Sequence, residues 1–228
     1  IHRLLPDHPT LYYADQAHLP YGPRPADETR GYVETITRFL LERGAAVIVL
    51  ACNAASAASL LYLREKYPEV PFVGMEPAVK PAAEATQTGV VGVLTTRTTA
   101  NGHLYQRVLE RYAAGVQVLT QIAPELVRIA EDGSQHTAES RAIIHGYVQP
   151  IVDANADHIV LACTHFPFLR DTIQEFAPNA TLIDPAPAVA RQVARVWPDG
   201  LTLQPAPHEY FTSGDAGKFA AVVKRVMG

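Results

Sequence analysis

Short, almost wholly apolar runs alternate along this chain with longer stretches in which apolar residues recur every three or four positions. The runs fall at residues 10–13, 46–50, 70–74, 90–94, 116–121, 157–161 and 180–183. Helical spacing marks 26–43, 54–67, 78–85, 101–112, 140–153, 167–176 and 187–196. A strand covered on both faces is apolar at nearly every position. Its alternation with helices predicts βαβ units and a mainly parallel sheet flanked by helices, an α/β fold. Pro and Gly punctuate the joins, as in Leu19-Pro20-Tyr21-Gly22-Pro23 and Pro185-Ala186-Pro187, and no low-complexity linker interrupts the pattern.

Two of these strands end in the same words. Ile48-Val49-Leu50-Ala51-Cys52 and Ile159-Val160-Leu161-Ala162-Cys163 place the chain's two cysteines at equivalent points of two strand-to-helix junctions. In an open α/β sheet, ligands bind beyond the carboxyl ends of strands. A thiol at a helix N-terminus also feels the positive end of the dipole, which favours thiolate at neutral pH. A cysteine closing an apolar strand is often simple core packing, and for one such residue that reading is preferred. The repetition reverses the preference, because each copy is followed by a polar residue and a helix start. A cysteine hydrolase needs one nucleophile and leaves the second copy unexplained. Two equivalent acid/base groups suit inversion of a stereocentre, where one face loses a proton and the other gains one, with the roles exchanged in the reverse reaction.

The bulk properties narrow the partners. At 228 residues and 48% hydrophobic content the chain holds ample material for a core, as one large domain or two small ones. A net charge of −4, from 19 basic and 23 acidic residues, gives no excess that would neutralise a phosphate backbone, so nucleic acid is not the expected partner and a small molecule is. No run approaches the ~20 apolar residues of a membrane span, and the opening residues lack a signal-peptide layout, so the expected compartment is the cytoplasm and no membrane partner is expected. Two cysteines do not make a disulfide framework, and no Cys-x-x-Cys pair or clustered histidines complete a metal set.

The residues around the cysteines extend the pattern. Tyr13-Ala14-Asp15, Leu19-Pro20-Tyr21-Gly22, Ala51-Cys52-Asn53-Ala54-Ala55-Ser56, Val73-Gly74-Met75-Glu76-Pro77, Thr95-Thr96-Arg97-Thr98-Thr99, Ala162-Cys163-Thr164-His165-Phe166-Pro167, Ile183-Asp184 and Ser213-Gly214-Asp215 follow in order over nearly the whole chain. With them the sequence resembles the glutamate racemases of the cofactor-independent aspartate/glutamate racemase superfamily. The resemblance implies interconversion of L- and D-glutamate without a cofactor or metal, supply of D-glutamate for peptidoglycan in a bacterial cytoplasm, and a homodimer.

It also implies roles position by position. Cys52 and Cys163 match the two acid/bases, Cys52 taking the proton from the D-isomer and Cys163 from the L-isomer. His165 matches an imidazole assisting Cys163, and Glu131 an acidic group near the same thiol. Pro20, Tyr21, Gly22, Asn53, Ala54, Thr96, Thr99 and Thr164 match substrate-binding positions. Two pseudo-symmetric α/β domains are expected, residues 1–77 with 189–228 and residues 78–188, with the active site in the cleft between them. Three departures stand out. Ala54 replaces the Thr usual after Cys-Asn, Phe166 replaces the usual Tyr, and the sequence opens after the family's first strand and its Asp-Ser-Gly turn, whose Asp assists the first cysteine and whose Ser binds substrate. Either a segment precedes Ile1 or the protein lacks that half of one proton-handling site. The expectation is therefore that the natural protein carries roughly 15–25 further N-terminal residues. Ala54 also keeps open an aspartate racemase, or a racemase-derived binding protein.

Overall fold

A computed structural model describes residues 1–201 and 206–227; the remainder of the expected 189–228 segment lies outside them. Among the described residues, eight strands pair, all of them in parallel. β1 (Leu11–Ala14) pairs with β8 (Glu209–Thr212), β2 (Ile48–Leu50) with β3 (Phe72–Gly74), and a four-stranded sheet runs in the order β5 (Gln117–Ile122), β4 (Val90–Thr95), β6 (His158–Ala162), β7 (Thr181–Ile183). All seven apolar runs become strands, displaced by two residues at most.

The four-stranded sheet shows why its strands are apolar on both sides. Ile159, Leu161 and Cys163 face one core with Ile144, Val148, Ile151, Phe166 and Ile173, whereas Val160 and Ala162 face another with Val79, Ala82, Tyr105 and Val108. The period of two assigns alternate residues to opposite layers, so Cys163 continues the face of Ile159 and Leu161. The first copy behaves likewise. Ile48 and Leu50 are buried in the core formed with helices α1 (Ala26–Leu41) and α2 (Asn53–Lys66), and Cys52 packs against that same core. The two halves of the repeat are therefore alike in phase as well as in letters.

Helices α3 (Val79–Ala85), α4 (Arg97–Asn101), α5 (His103–Tyr112), α6 (Glu125–Asp132), α7 (Ala138–Asp153), α8 (Arg170–Phe176), α9 (Ala186–Arg195) and α10 (Ala216–Met227) complete the layers. The helix expected at 101–112 is split, since Gly102 takes an extended conformation and caps α5. The helix expected from Pro167 begins instead as a 3₁₀ turn, Phe166–Leu169. The hydrophobic spacing predicts no element at α4, α6, β8 or α10, all of which form. The chain returns at its end: β8 pairs with β1 and α9 packs on β3.

Glycine 92, on β4, marks a close approach. A Cβ built there would overlap the Ile151 side chain, which is fully buried. Gly92→Ala is expected to lower stability by about 1–3 kcal/mol, as overpacking does, measured as a shift in the urea midpoint at unchanged slope.

Candidate active site

In the four-stranded sheet the chain leaves β4 for β5 on one side and later returns to β6 on the other. That reversal opens a crevice at the carboxyl ends of β4 and β6. Thr96 stands just past the end of β4 and Thr99 in α4, the turn of helix that follows, while Cys163 stands just past the end of β6. Facing them is the junction of β2 and α2. Leu19, Pro20, Tyr21, Gly22, Cys52, Asn53, Ala54, Thr96, Thr99, Val127, Cys163 and His165 line one cleft of about 330 Å3, its mouth included. This suits one small polar molecule.

The turn at Tyr21 and Gly22 is held from the opposite wall. Thr98 donates to the Gly22 carbonyl through its backbone N–H at 3.2 Å and through its hydroxyl at 2.6 Å. A Cβ on Gly22 would stand 3.0 Å from Thr96, so glycine permits the close approach. The Thr96 and Thr99 hydroxyls lie 3.2 Å apart.

Cys52 caps α2, its sulfur accepting the Ala55 N–H at 3.5 Å. Beside it Asn53 is 2% exposed, and neither its amide nitrogen nor its amide oxygen has a hydrogen-bond partner in the protein. Unsatisfied buried amides are costly, so both atoms stand ready for a ligand. Ala54 is also buried and adds a methyl group where the family pattern places a hydroxyl. Phe166 is fully buried in the core, so a ring without a hydroxyl fits there.

On the other wall Cys163 Sγ lies 3.7 Å from His165 Nδ1, and His165 Nε2 lies 2.7 Å from Glu131 Oε1 on α6. A carboxylate at Nε2 favours the tautomer with the proton there, leaving Nδ1 as an acceptor for the thiol. Glu131 reaches Cys163 through this imidazole. Thr164 is half-buried and does not line the cleft, although its two neighbours do. Leu19 and Val127 line the cleft and were not among the expected residues. Val127 belongs to α6, whose buried Leu126, Val127 and Ile129 alternate with exposed Glu125, Arg128 and Glu131. That amphipathic signal is legible but only eight residues long.

The thiols differ from the expectation that helix ends would favour thiolate. Burial pushes Cys52 up, with the Ala55 and Ala54 N–H groups pulling only partly back. Burial pushes Cys163 up to about 12, opposed by the His165 and Phe166 N–H groups and reinforced by Cys52. Desolvation of a charge outweighs the terminal dipoles, so both sulfurs rest as thiols.

A parallel α/β scaffold brings two strand-end thiols and an unsatisfied amide to one cleft, an arrangement that defines a binding site for a small molecule. The chain belongs to the Asp/Glu/Hydantoin racemase family, whose sequence profile matches residues 1–193. It is 44% identical to a glutamate racemase of Ectopseudomonas mendocina, covering 100% of this chain and 88% of the relative. It is 46% identical to one from Roseiflexus, covering 99% and 85%. The crystal structure of Escherichia coli glutamate racemase, in complex with L-glutamate and the activator UDP-MurNAc-Ala, superposes with a TM-score of 0.87 at 32% identity, covering 99% of this chain and 88% of that one.

Proposed function

We propose that this protein interconverts L- and D-glutamate without a cofactor, using Cys52 and Cys163 as acid/base groups on opposite faces of the α-carbon. The observation that carries the reading is the meeting of both thiols in one cleft from two copies of the same strand-to-helix unit. One sulfur, as thiolate, removes the α-proton while the other, as thiol, protonates the opposite face. The sulfurs then stand in exchanged states, ready for the reverse reaction. His165 takes the Cys163 proton at Nδ1, and the resulting imidazolium is stabilised by Glu131. Cys52 relies on the N–H groups at the start of α2. Asn53, the Thr96 and Thr99 hydroxyls and the Tyr21-Gly22 turn hold the substrate's amino and carboxylate groups and bear the charge that develops on the α-carboxylate.

Several finer statements rest on family kinship. Residues 1–77 with 189–228 and residues 78–188 act as two domains, a division supported by the pairing of β8 with β1 and the packing of α9 on β3. The protein works as a homodimer in the cytoplasm and supplies D-glutamate for peptidoglycan. Among the described residues no helix is long and apolar enough to cross a membrane.

Loss of optical rotation from L-glutamate, with L-aspartate in parallel and in competition, tests the activity. Glutamate is expected to racemise to an equal mixture and aspartate to be the poorer substrate. Preference for aspartate would assign Ala54 to a shorter side chain, and binding without turnover would contradict the enzyme reading.

The raised thiols set the pH dependence. A base whose pKa lies above neutrality is scarce at pH 7 and more abundant as pH rises, so kcat/KM is expected to climb across pH 7 to 9 instead of reaching a plateau below 7. A profile flat through neutrality would show that one thiol is already ionised in the free enzyme.

A further inference from the structure

Two motifs remain without a role, Tyr13-Ala14-Asp15 and Ser213-Gly214-Asp215, and the structure joins them behind the cleft. Asp15 follows β1, and its side chain is 8% exposed. A carboxylate so enclosed requires donors, and it has three. Tyr21 donates its hydroxyl to Oδ2, while Oδ1 accepts from Ser213 Oγ at 2.6 Å and meets His18 Nδ1 at 2.8 Å. Ser213 is itself held, its oxygen accepting the Ala17 N–H at 3.0 Å. Burial works against the charged form of Asp15, yet the Ser213, Tyr21 and His18 bonds together hold its carboxyl below the usual range.

The consequence falls on Tyr21, which lines the cleft and is 8% exposed. Its backbone is fixed from one side, where Thr98 binds the Gly22 carbonyl, and its phenol is fixed from the other, where Asp15 accepts the hydroxyl proton. With that proton committed, the Tyr21 oxygen has only lone pairs left to offer toward the cleft, and the ring has one orientation. We propose that Asp15 and Ser213 are positioning residues that fix the orientation and hydrogen-bond polarity of Tyr21, so that the loop after β8 governs substrate binding from beyond the stretch matched by the racemase profile. Neither residue lines the cleft, so neither is expected to move a proton.

This inference rests on the racemase reading, and steady-state kinetics of the full chain in both directions separate the two. The two enantiomers have equal free energy, so kcat/KM is constrained to be equal from either side and the effect is read in KM against kcat. Asp15→Asn is expected to raise KM for both enantiomers about tenfold, a loss of about 1.4 kcal/mol, with kcat held within about threefold. Ser213→Ala is expected to raise KM about threefold, and Ser213→Thr to restore it. Tyr21→Phe should raise KM alone, and adding Asp15→Asn or Ser213→Ala to it should do little more, because the carboxylate acts through the phenol. If Asp15→Asn fails to fold by thermal melting, the Ser213→Ala and Tyr21→Phe pair decides the question. An active wild type whose KM is unchanged by Asp15→Asn, or variants whose effects multiply with Tyr21→Phe, would overturn the positioning role alone. A wild type that does not racemise glutamate would overturn the racemase reading and this inference with it.

Discussion

Replacing Cys52 or Cys163 with alanine is expected to abolish racemisation in both directions, a loss of about 10³-fold or more, since a single positioned acid or base is worth up to about 10⁴-fold and inversion needs one on each face. The informative part is what survives. 3-Chloroglutamate needs only α-proton removal before chloride leaves the β-carbon, and the resulting enamine goes on in water to 2-oxoglutarate and ammonium. One working thiol is enough for that. In the assignment proposed here Cys163→Ala still eliminates chloride from the D-analogue, and Cys52→Ala still eliminates it from the L-analogue. Both variants should still fold, melting only a few degrees below the parent, because each change removes one sulfur: Cys52 gives up its cap on α2 and Cys163 its place at the edge of the core. Chloride release read for four pairings of variant and enantiomer gives a crossed pattern. Equal rates in all four would refute the assignment of one thiol to each face.

His165→Asn carries the second large effect. The imidazole lies 3.7 Å from Cys163 and is held by Glu131, whereas Cys52 is served by the Ala55 N–H. Cys163 therefore loses its proton acceptor in this variant and Cys52 loses nothing. Elimination from L-3-chloroglutamate is expected to fall about 10²-fold and that from the D-analogue by less than about threefold. Glu131→Gln should reproduce the same asymmetry more weakly, because it removes the charge that stabilises the imidazolium and leaves the ring in place. Equal losses on both analogues would mean that His165 binds substrate instead of serving one sulfur.

The strands and the site were legible to different degrees. A buried parallel strand writes itself as a continuous apolar run, and every such run became a strand. β8 did not write itself this way. Glu209-Tyr210-Phe211-Thr212 is four residues long, pairs among the described residues on one side only, and keeps its first two residues exposed. Helix α6 was hidden by brevity, and with it Val127 in the wall of the cleft. Ten of the expected site residues line the cleft because they sit at strand ends or in the turns facing them, where the chain itself fixes position. The balance of charge at the sulfurs was not legible. A helix N-terminus is visible in the sequence and argues for thiolate, but the depth of burial that overrides it comes from residues far apart in the chain, such as Tyr21 and Val127. The network behind Tyr21 was hidden for the same reason, since Asp15 and Ser213 lie 198 positions apart and meet only when β8 pairs with β1.

The central claim is that two thiols serve opposite faces of one carbon, and the fate of solvent deuterium tests it most directly. L-glutamate is incubated with the protein in deuterated water and stopped within the first few per cent of turnover; the enantiomers are then separated and the α-position of each is analysed by mass. The thiol that protonates the product face exchanges with solvent before substrate arrives, so the D-glutamate formed is expected to carry deuterium while the remaining L-glutamate keeps its original proton. Deuterium appearing in the remaining L-glutamate as fast as in the product would contradict the two-thiol account in favour of one base working both faces, and an α-proton retained in all of the glutamate would show that the cleft binds without catalysing.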